Sequence, residues 1–386
     1  MTSKPCVCVV ELSTNHDNDA FSQMELLREY FDVHVIAPPQ LLGMDLFRAT
    51  AGLYHALPLH EMSSPNKWVR LVRLPLVLWR VRRYCARVQA EAIVFNTTFT
   101  WVDLLLIIAL FPRKKTFQVV HNFQRFLRPM SFRFFAWFAN NMVLSEEVFE
   151  HIRKTHPETA GKLSFFLPIF FKSFMDTCPD RQPKWKGGKA EFNLGVVGNV
   201  DQTRRNYQGL INAVERLNAA GERINFRIHM VGSAPPVFVE MIRQKGLEDC
   251  VSVYGFCSFF DMFALSESVD LVFFLIDSEV ENYQYYNKYK VSGTSVLLKT
   301  FHKVGISSDD FPMDQSLKET VLFYPGTDVE SILLRLIRGE ITHGQITEIE
   351  KRYTSINLFS YATQRRQLIA ALKLERFIPE EINNHG

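Results

Sequence analysis

Short apolar runs recur along the chain, each ending in a polar or glycine-containing loop and followed by a stretch of helical period. Residues 6–12 read as a buried strand and run into a polar loop at 13–19. A helix then passes through Met24, Leu27 and Tyr30, and a second strand at 33–37 is stopped by Pro38 and Pro39. Further strands are expected at 92–96, 117–120 and 142–144, the last followed by Ser145-Glu146-Glu147, a helix start with acids in its first turn. Residues 168–188 have no period and hold Pro179, Pro183, Gly187 and Gly188, the signature of a linker. The alternation then restarts. Strands are expected at 192–197, 226–231, 251–254, 271–276 and 321–324, with helices at 207–220, 237–245 and 261–266. Continuous rather than alternating hydrophobicity marks parallel strands covered on both faces. The pattern predicts two doubly wound α/β domains, at 1–175 and 191–350, joined by a linker at 176–190. Helical material at 351–386 is expected to return to the first domain.

The stretch 287–307, NKYKVSGTSVLLKTFHKVGIS, carries the most concentrated signal. Ser292-Gly293-Thr294-Ser295 supplies hydroxyl caps and a glycine at a helix start. Behind it, Val296, Leu297, Thr300, Phe301 and Val304 lie at helical spacing. Such a terminus presents backbone N–H groups and the positive end of a helix dipole, with Lys288 and Lys290 close by, and suits a phosphate or diphosphate. An ordinary capped helix after a strand would carry the same residues.

Composition adds an asymmetry. The chain has 386 residues, 47% of them hydrophobic, and a formal charge of only +3. Residues 1–175 nevertheless hold 20 Lys/Arg against 14 Asp/Glu, while the remainder holds 24 against 27. Two stretches of the first half are basic, aromatic and free of acids. One is 67–88, with seven basic residues among Trp68, Leu71, Leu74, Leu76, Trp79 and Tyr84; the other is 104–145. This composition fits contact with an anionic membrane surface, or else an outer helix whose arginines are solvated. No recognised nucleic-acid module is present. The six cysteines form no C-x-x-C pair, so neither a metal nor a disulfide framework is expected, and a reducing compartment is. The start of the chain has no signal-peptide pattern, and the apolar run at 104–111 is far shorter than the roughly 18 residues a membrane span needs. The expectation is a cytoplasmic protein that rests peripherally on the inner membrane face.

Four segments of the second half, LGVVGNVDQTRRNYQGLINAVERL, IHMVGSAPP, VSVYGFC and YNKYKVSGTSVLLKTFHKVGIS, resemble in order and spacing the donor half of GT-B glycosyltransferases. The bacterial enzymes that build surface polysaccharides from nucleotide sugars are the closest in pattern. The resemblance implies a GT-B fold, two Rossmann-like domains facing a cleft. The reaction it implies is metal-independent transfer of a hexose from a UDP- or GDP-type sugar, a substrate rather than a cofactor. The acceptor would be a glycan or a polyprenyl-diphosphate-linked chain.

Carried onto this sequence, the donor set is Gly198 and Asn199 with Arg204 or Arg205 on the diphosphate, and Gly232 and Ser233 beside the nucleotide. Tyr254, Gly255 and Phe256 would flank the base. Tyr289, Lys290 and Ser292 to Ser295 would meet ribose and phosphate. In the first half, His121 follows a strand where relatives place a histidine beside the transferred sugar. Asn15 and His16 line the acceptor side, and Asp17 or Asp19 is a candidate base. One departure stands out. Many retaining members carry a glutamate pair near the 292–301 helix, and the corresponding positions here hold Lys290 and Leu298. Glu279 and Glu281 lie upstream. This motivates two alternatives, a nucleotide-sugar epimerase and a non-catalytic binding protein.

Overall fold

The computed structural model describes residues 4–13, 17–63, 67–98, 101–159, 161–169, 190–281, 283–286 and 288–379. Two compact units account for the chain. The first comprises Met1–Phe170, Lys288–Val291 and Leu358–Gly386; the second comprises Phe171–Asn287 and Ser292–Asn357.

The first unit is built on a sheet of seven strands: β1 (Cys6–Val10), β2 (Asp32–Ala37), β3 (His55–Pro58), β4 (Ala92–Phe95), β5 (Thr116–Val120), β6 (Asn140–Val143) and β7 (Leu163–Phe165). Their order is β3-β2-β1-β4-β5-β6-β7, and every pair is parallel. β1, β4, β5 and β6 are buried at every position, as expected of strands with helices on both faces. The carboxy-terminal residues close this unit. The Gln364 side-chain carbonyl accepts from the Leu167 N–H at 2.7 Å, the Ala371 carbonyl accepts from Asn140 Nδ2 at 2.8 Å, and the Tyr361 hydroxyl donates to the Glu25 carbonyl at 2.9 Å.

The second unit holds β8 (Phe192–Val197), β9 (Phe226–Val231), β10 (Val251–Gly255), β11 (Leu271–Phe273), β12 (Val304–Ser308) and β13 (Val321–Tyr324). The order is β10-β9-β8-β11-β12-β13, again all parallel. The helix Gly293–Phe301 lies close on this sheet because β12 has a glycine beneath it: a Cβ on Gly305 would sit 2.8 Å from Leu298 Cδ1 and 2.9 Å from Val321 Cγ2. Leu298 is fully buried there, so a position expected by resemblance to carry a carboxylate is occupied by a packing residue.

Two departures from the sequence reading bear on the site. The strand expected at 271–276 stops at Phe273, because Leu275 turns into the left-handed region at φ 53° and gives its carbonyl to the Asn206 N–H at 2.7 Å. Residues 288–291 pack with the first unit rather than with the second.

Candidate functional site

In a doubly wound sheet, ligands bind beyond the carboxyl ends of the strands, where the strand order reverses. In the second unit that point lies between β8 and β11, since β9 continues from β8 on one side and β11 lies on the other. Three loops converge there through side chains that are close in sequence but far apart in their partners.

Arg205 is the first link. Its Nη2 donates to the Thr294 hydroxyl at 3.0 Å, and its Nη1 donates to the Val197 carbonyl and to the Tyr207 hydroxyl, the latter at 3.2 Å. One guanidinium thus joins the end of β8 to the start of the Gly293–Phe301 helix. Ser292 caps that helix by accepting from the Thr294 N–H at 3.3 Å. Ser292, Thr294 and Ser295 are buried, whereas Gly293 is exposed and has open space where a side chain would project. The helix terminus therefore presents bare main chain beside a cation, the arrangement that suits an oxyanion.

Asn206 is the second link. Its Nδ2 donates to Asp277 Oδ2 at 2.9 Å and to Glu279 Oε2 at 3.1 Å, while its Oδ1 caps the Tyr207–Ala219 helix through the Gly209 N–H at 2.8 Å. Burial raises the Asp277 pKa; the Asn206 bond and the Glu279 N–H oppose that shift. The strained Leu275 conformation, of the order of 1–3 kcal/mol for a non-glycine residue, holds these two acids against Asn206. Sequence reading singled out neither Asn206 nor Asp277 as a site residue, and it noted Glu279 only as a substitute for a missing glutamate.

The glycines of the next two loops are there for space. Gly198 has φ 128°, and a Cβ would meet Arg205 Nη1 at 2.6 Å; Gly232 has φ 144°, and a Cβ would meet the Gly198 carbonyl oxygen at 2.3 Å. Side chains at either position would push the β8 and β9 loops apart. Asn199 Oδ1 accepts from the Ser233 N–H at 3.1 Å, and the Gly232 N–H donates to the Gly255 carbonyl at 3.0 Å, so the three loop ends are tied in series. Tyr254 is turned inward: its hydroxyl meets His229 Nδ1 at 2.9 Å, and His229 Nε2 faces Asn193 Oδ1 at 3.2 Å. Phe256 projects freely, 84% exposed.

Three expected donor residues have other partners. Arg204 is exposed and pairs with Asp201 at 3.2 Å, so only Arg205 reaches the helix start. Tyr289 belongs to the first unit, where its carbonyl accepts from the Phe123 N–H at 2.9 Å and its ring stacks on Phe123 and meets the edge of His151. Lys290 bridges to Asn122 in the same unit. The segment is sequence-adjacent to the helix start but packs with the first unit.

At the carboxyl ends of the first sheet, polar groups gather around β1 and β4. Buried Glu11 accepts from the Ser13 N–H at 2.7 Å and from the Thr97 hydroxyl. Gln23 donates to Asn96 Oδ1 at 2.6 Å. His121 Nε2 donates to the Asn96 carbonyl at 2.8 Å, which leaves Nδ1 facing Asp19 Oδ2 at 3.6 Å. Asp19, expected in the first loop, lies in the first turn of the helix Asp17–Leu27 and comes beside His121. Asn15 and His16 lie outside the described residues, as does the side chain of Asp17.

No protein-family model matches the chain, and no curated protein matches it in sequence. Solved structures do match. A glycosyltransferase from Rickettsia africae superposes with a TM-score of 0.61 at 13% identity, covering 100% of both chains. The HepE protein of Anabaena, in complex with UDP, gives 0.61 at 12% identity over 95% of this chain and 99% of that one. A UDP-N-acetylglucosamine 2-epimerase gives 0.62 at 14% identity over 97% and 98%. At these identities the likeness is one of fold, and in fold the chain is GT-B: an α/β protein of two Rossmann-like, all-parallel sheets.

Proposed function

We propose that this protein is a glycosyltransferase that moves a sugar from a nucleoside-diphosphate sugar to a hydroxyl of a glycan or lipid-linked acceptor in surface polysaccharide synthesis. The observation that carries the reading is the Arg205–Thr294 pair beside Gly198 and the open Gly293 terminus. In the transfer, the bond between the anomeric carbon and the diphosphate oxygen breaks and negative charge grows on the diphosphate. A fixed guanidinium and main-chain amides aimed at that oxygen stabilise the charge as it develops. The role needs no metal. Gly232, Ser233 and Gly255 supply backbone at the nucleotide, and Phe256 an exposed ring for the base. Glu279, steadied by Asn206, takes the hydrogen-bonding role toward sugar or ribose hydroxyls that Leu298 cannot. On the acceptor side the roles fall to Asp19 and His121, with Asn15, His16 and Asp17 just before Asp19 in sequence.

A membrane surface is the second part of the proposal. Trp68, Val72, Leu76 and Trp79 are 65%, 80%, 54% and 44% exposed, and their spacing puts them on one face of the helix Lys67–Arg87. Arg73, Arg82, Arg83 and Arg87 are exposed along it, and a groove of about 460 Å³ is lined by Trp79, Arg80, Arg83, Tyr84 and Arg87. Apolar side chains framed by arginines suit the interface of an anionic bilayer, where a polyprenyl-linked acceptor resides. Among the described residues no helix is long and apolar enough to cross a membrane.

The epimerase among the matched structures supports a second reading, conversion of the nucleotide sugar itself. Incubation of UDP- and GDP-sugars with and without a glycan or lipid-linked acceptor separates the two. Release of UDP or GDP together with a lengthened acceptor is the expected outcome. A changed sugar with no acceptor present would replace transfer with epimerisation, and no thermal shift with any nucleotide or nucleotide sugar would remove both.

A further inference from the structure

At the other end of the first sheet, where β1 to β3 begin, strand pairing assembles three side chains that none of the foregoing uses. His34 on β2 stands opposite His55 on β3, and Asp32 lies two residues before His34, on the same face. The two imidazoles stack with centroids 4.6 Å apart and planes inclined by 23°. The Asp32 carboxylate reaches both of them: Oδ2 is 3.3 Å from His34 Nε2, and Oδ1 is 3.1 Å from His55 Nε2. All three groups offer ligand atoms within 4.8 Å of one another.

We propose that Asp32, His34 and His55 form a divalent transition-metal site, of the class that takes zinc. Ligand atoms bound at 2.0–2.1 Å around a tetrahedral ion lie roughly 3.3 Å apart, which is the spacing the carboxylate keeps from each imidazole. Two imidazoles and one carboxylate suit zinc, nickel or copper and not the hard cations calcium and magnesium. The ring of His34 is held as metal-bound histidines are. Its Nδ1 lies 2.7 Å from the Tyr84 hydroxyl, and when Nδ1–H donates to that oxygen the lone pair on Nε2 faces the Asp32 carboxylate. Access also fits. His34 is nearly buried, but the side chains of Asp32 and His55 are 44% and 63% exposed, which leaves room for water to complete the coordination. The ion would tie β3, a four-residue edge strand, to the interior of the sheet.

The test uses the full chain, stripped with a chelator and titrated with zinc chloride by calorimetry and with cobalt(II) by absorption. About one ion per chain is expected, with a chelator-reversible rise in melting temperature. His55→Ala, at an exposed edge position, and Asp32→Asn should each weaken zinc binding by more than about tenfold, and Tyr84→Phe by about 10- to 100-fold. Cys6 pairs with Asp32 on β1 and its thiol lies beside His34, so a cobalt spectrum without a strong sulfur-to-metal charge-transfer band is what separates the Asp32–His34–His55 ligand set from one that includes sulfur. Failure to bind zinc stoichiometrically, unchanged affinity in His55→Ala, or a thiolate-dominated cobalt spectrum would overturn the site.

Discussion

Arg204 and Arg205 are adjacent in sequence and unlike in position, and the difference is measurable. Arg205 keeps an Nε–H and a second Nη2 N–H with no partner among the described residues, whereas Arg204 extends into solvent beside Asp201. Arg205→Ala should weaken UDP- or GDP-sugar binding more than tenfold, at about 1.5–3 kcal/mol per charged hydrogen bond, while Arg204→Ala should change it little. Calorimetric titration of both variants, with melting temperature as the control for the Val197 and Thr294 contacts, checks this. A second residue sets an acid limit. Burial, and secondarily Arg227, lower the His229 pKa from its ordinary 6.5 to about 4. The unfolded chain therefore takes up a proton below pH 6.5 that the folded chain refuses until about pH 4. Stability is full above pH 6.5 and falls across that window, by about 1.4 kcal/mol per pH unit at the steepest. His229→Asn, neutral throughout, should flatten the slope of denaturant-derived stability between pH 6.5 and 4. At this scale the sequence was legible where one residue type does one job: Gly198 and Gly232 sit where only backbone fits. Asn206 and Asp277 were harder to see, because their meaning lies in partners such as Glu279, which sequence spacing does not reveal.

Elements were legible where hydrophobic period and caps agreed, as in β8 and the helix that follows, and less so where packing overrode local pattern. Residues 271–276 read as one apolar strand, yet the ladder ends at Phe273 once Asn206 claims the Leu275 carbonyl. A proline inside a helix removes a backbone donor and commonly breaks it, yet the helix Lys67–Arg87 runs through Pro75, which lies on the exposed side. That helix carries a prediction of its own: the protein should float with anionic liposomes at low salt and less with neutral ones. Trp68→Ser with Trp79→Ser should reduce recovery without lowering the melting temperature. Equal recovery on both lipids would remove the membrane face. The Gly293–Phe301 helix is anchored from below by a buried pair, Lys299 Nζ to Asp314 Oδ2 at 2.8 Å. Asp314→Ala would remove the buried carboxylate that Lys299 pairs with, and chemical denaturation should show a loss of about 3–5 kcal/mol. The reverse design, replacing both partners with apolar residues of similar volume, should cost far less.

For the whole molecule, the β/α alternation and its restart after residue 190 conveyed the two-sheet plan. The carboxy-terminal helices were already expected to return to the first domain, whereas the departure of Lys288–Val291 to the first unit needed three dimensions. Residues 288–291 carry no compositional mark and look like the approach to a helix, while the Tyr361–Ala371 helix joins the first unit through Tyr361, Gln364, Arg365 and the Ala371 carbonyl. The return also orders events during synthesis. Most of the first sheet leaves the ribosome early, but it lacks the residues that accept from Leu167 and Asn140 until more than half the chain has followed. The second unit, closed by Asn357, has all its strands before then. A chain stalled in translation near residue 357 would thus hold a finished back half and an unfinished front half, which makes the nascent amino-terminal segment the natural client for a chaperone.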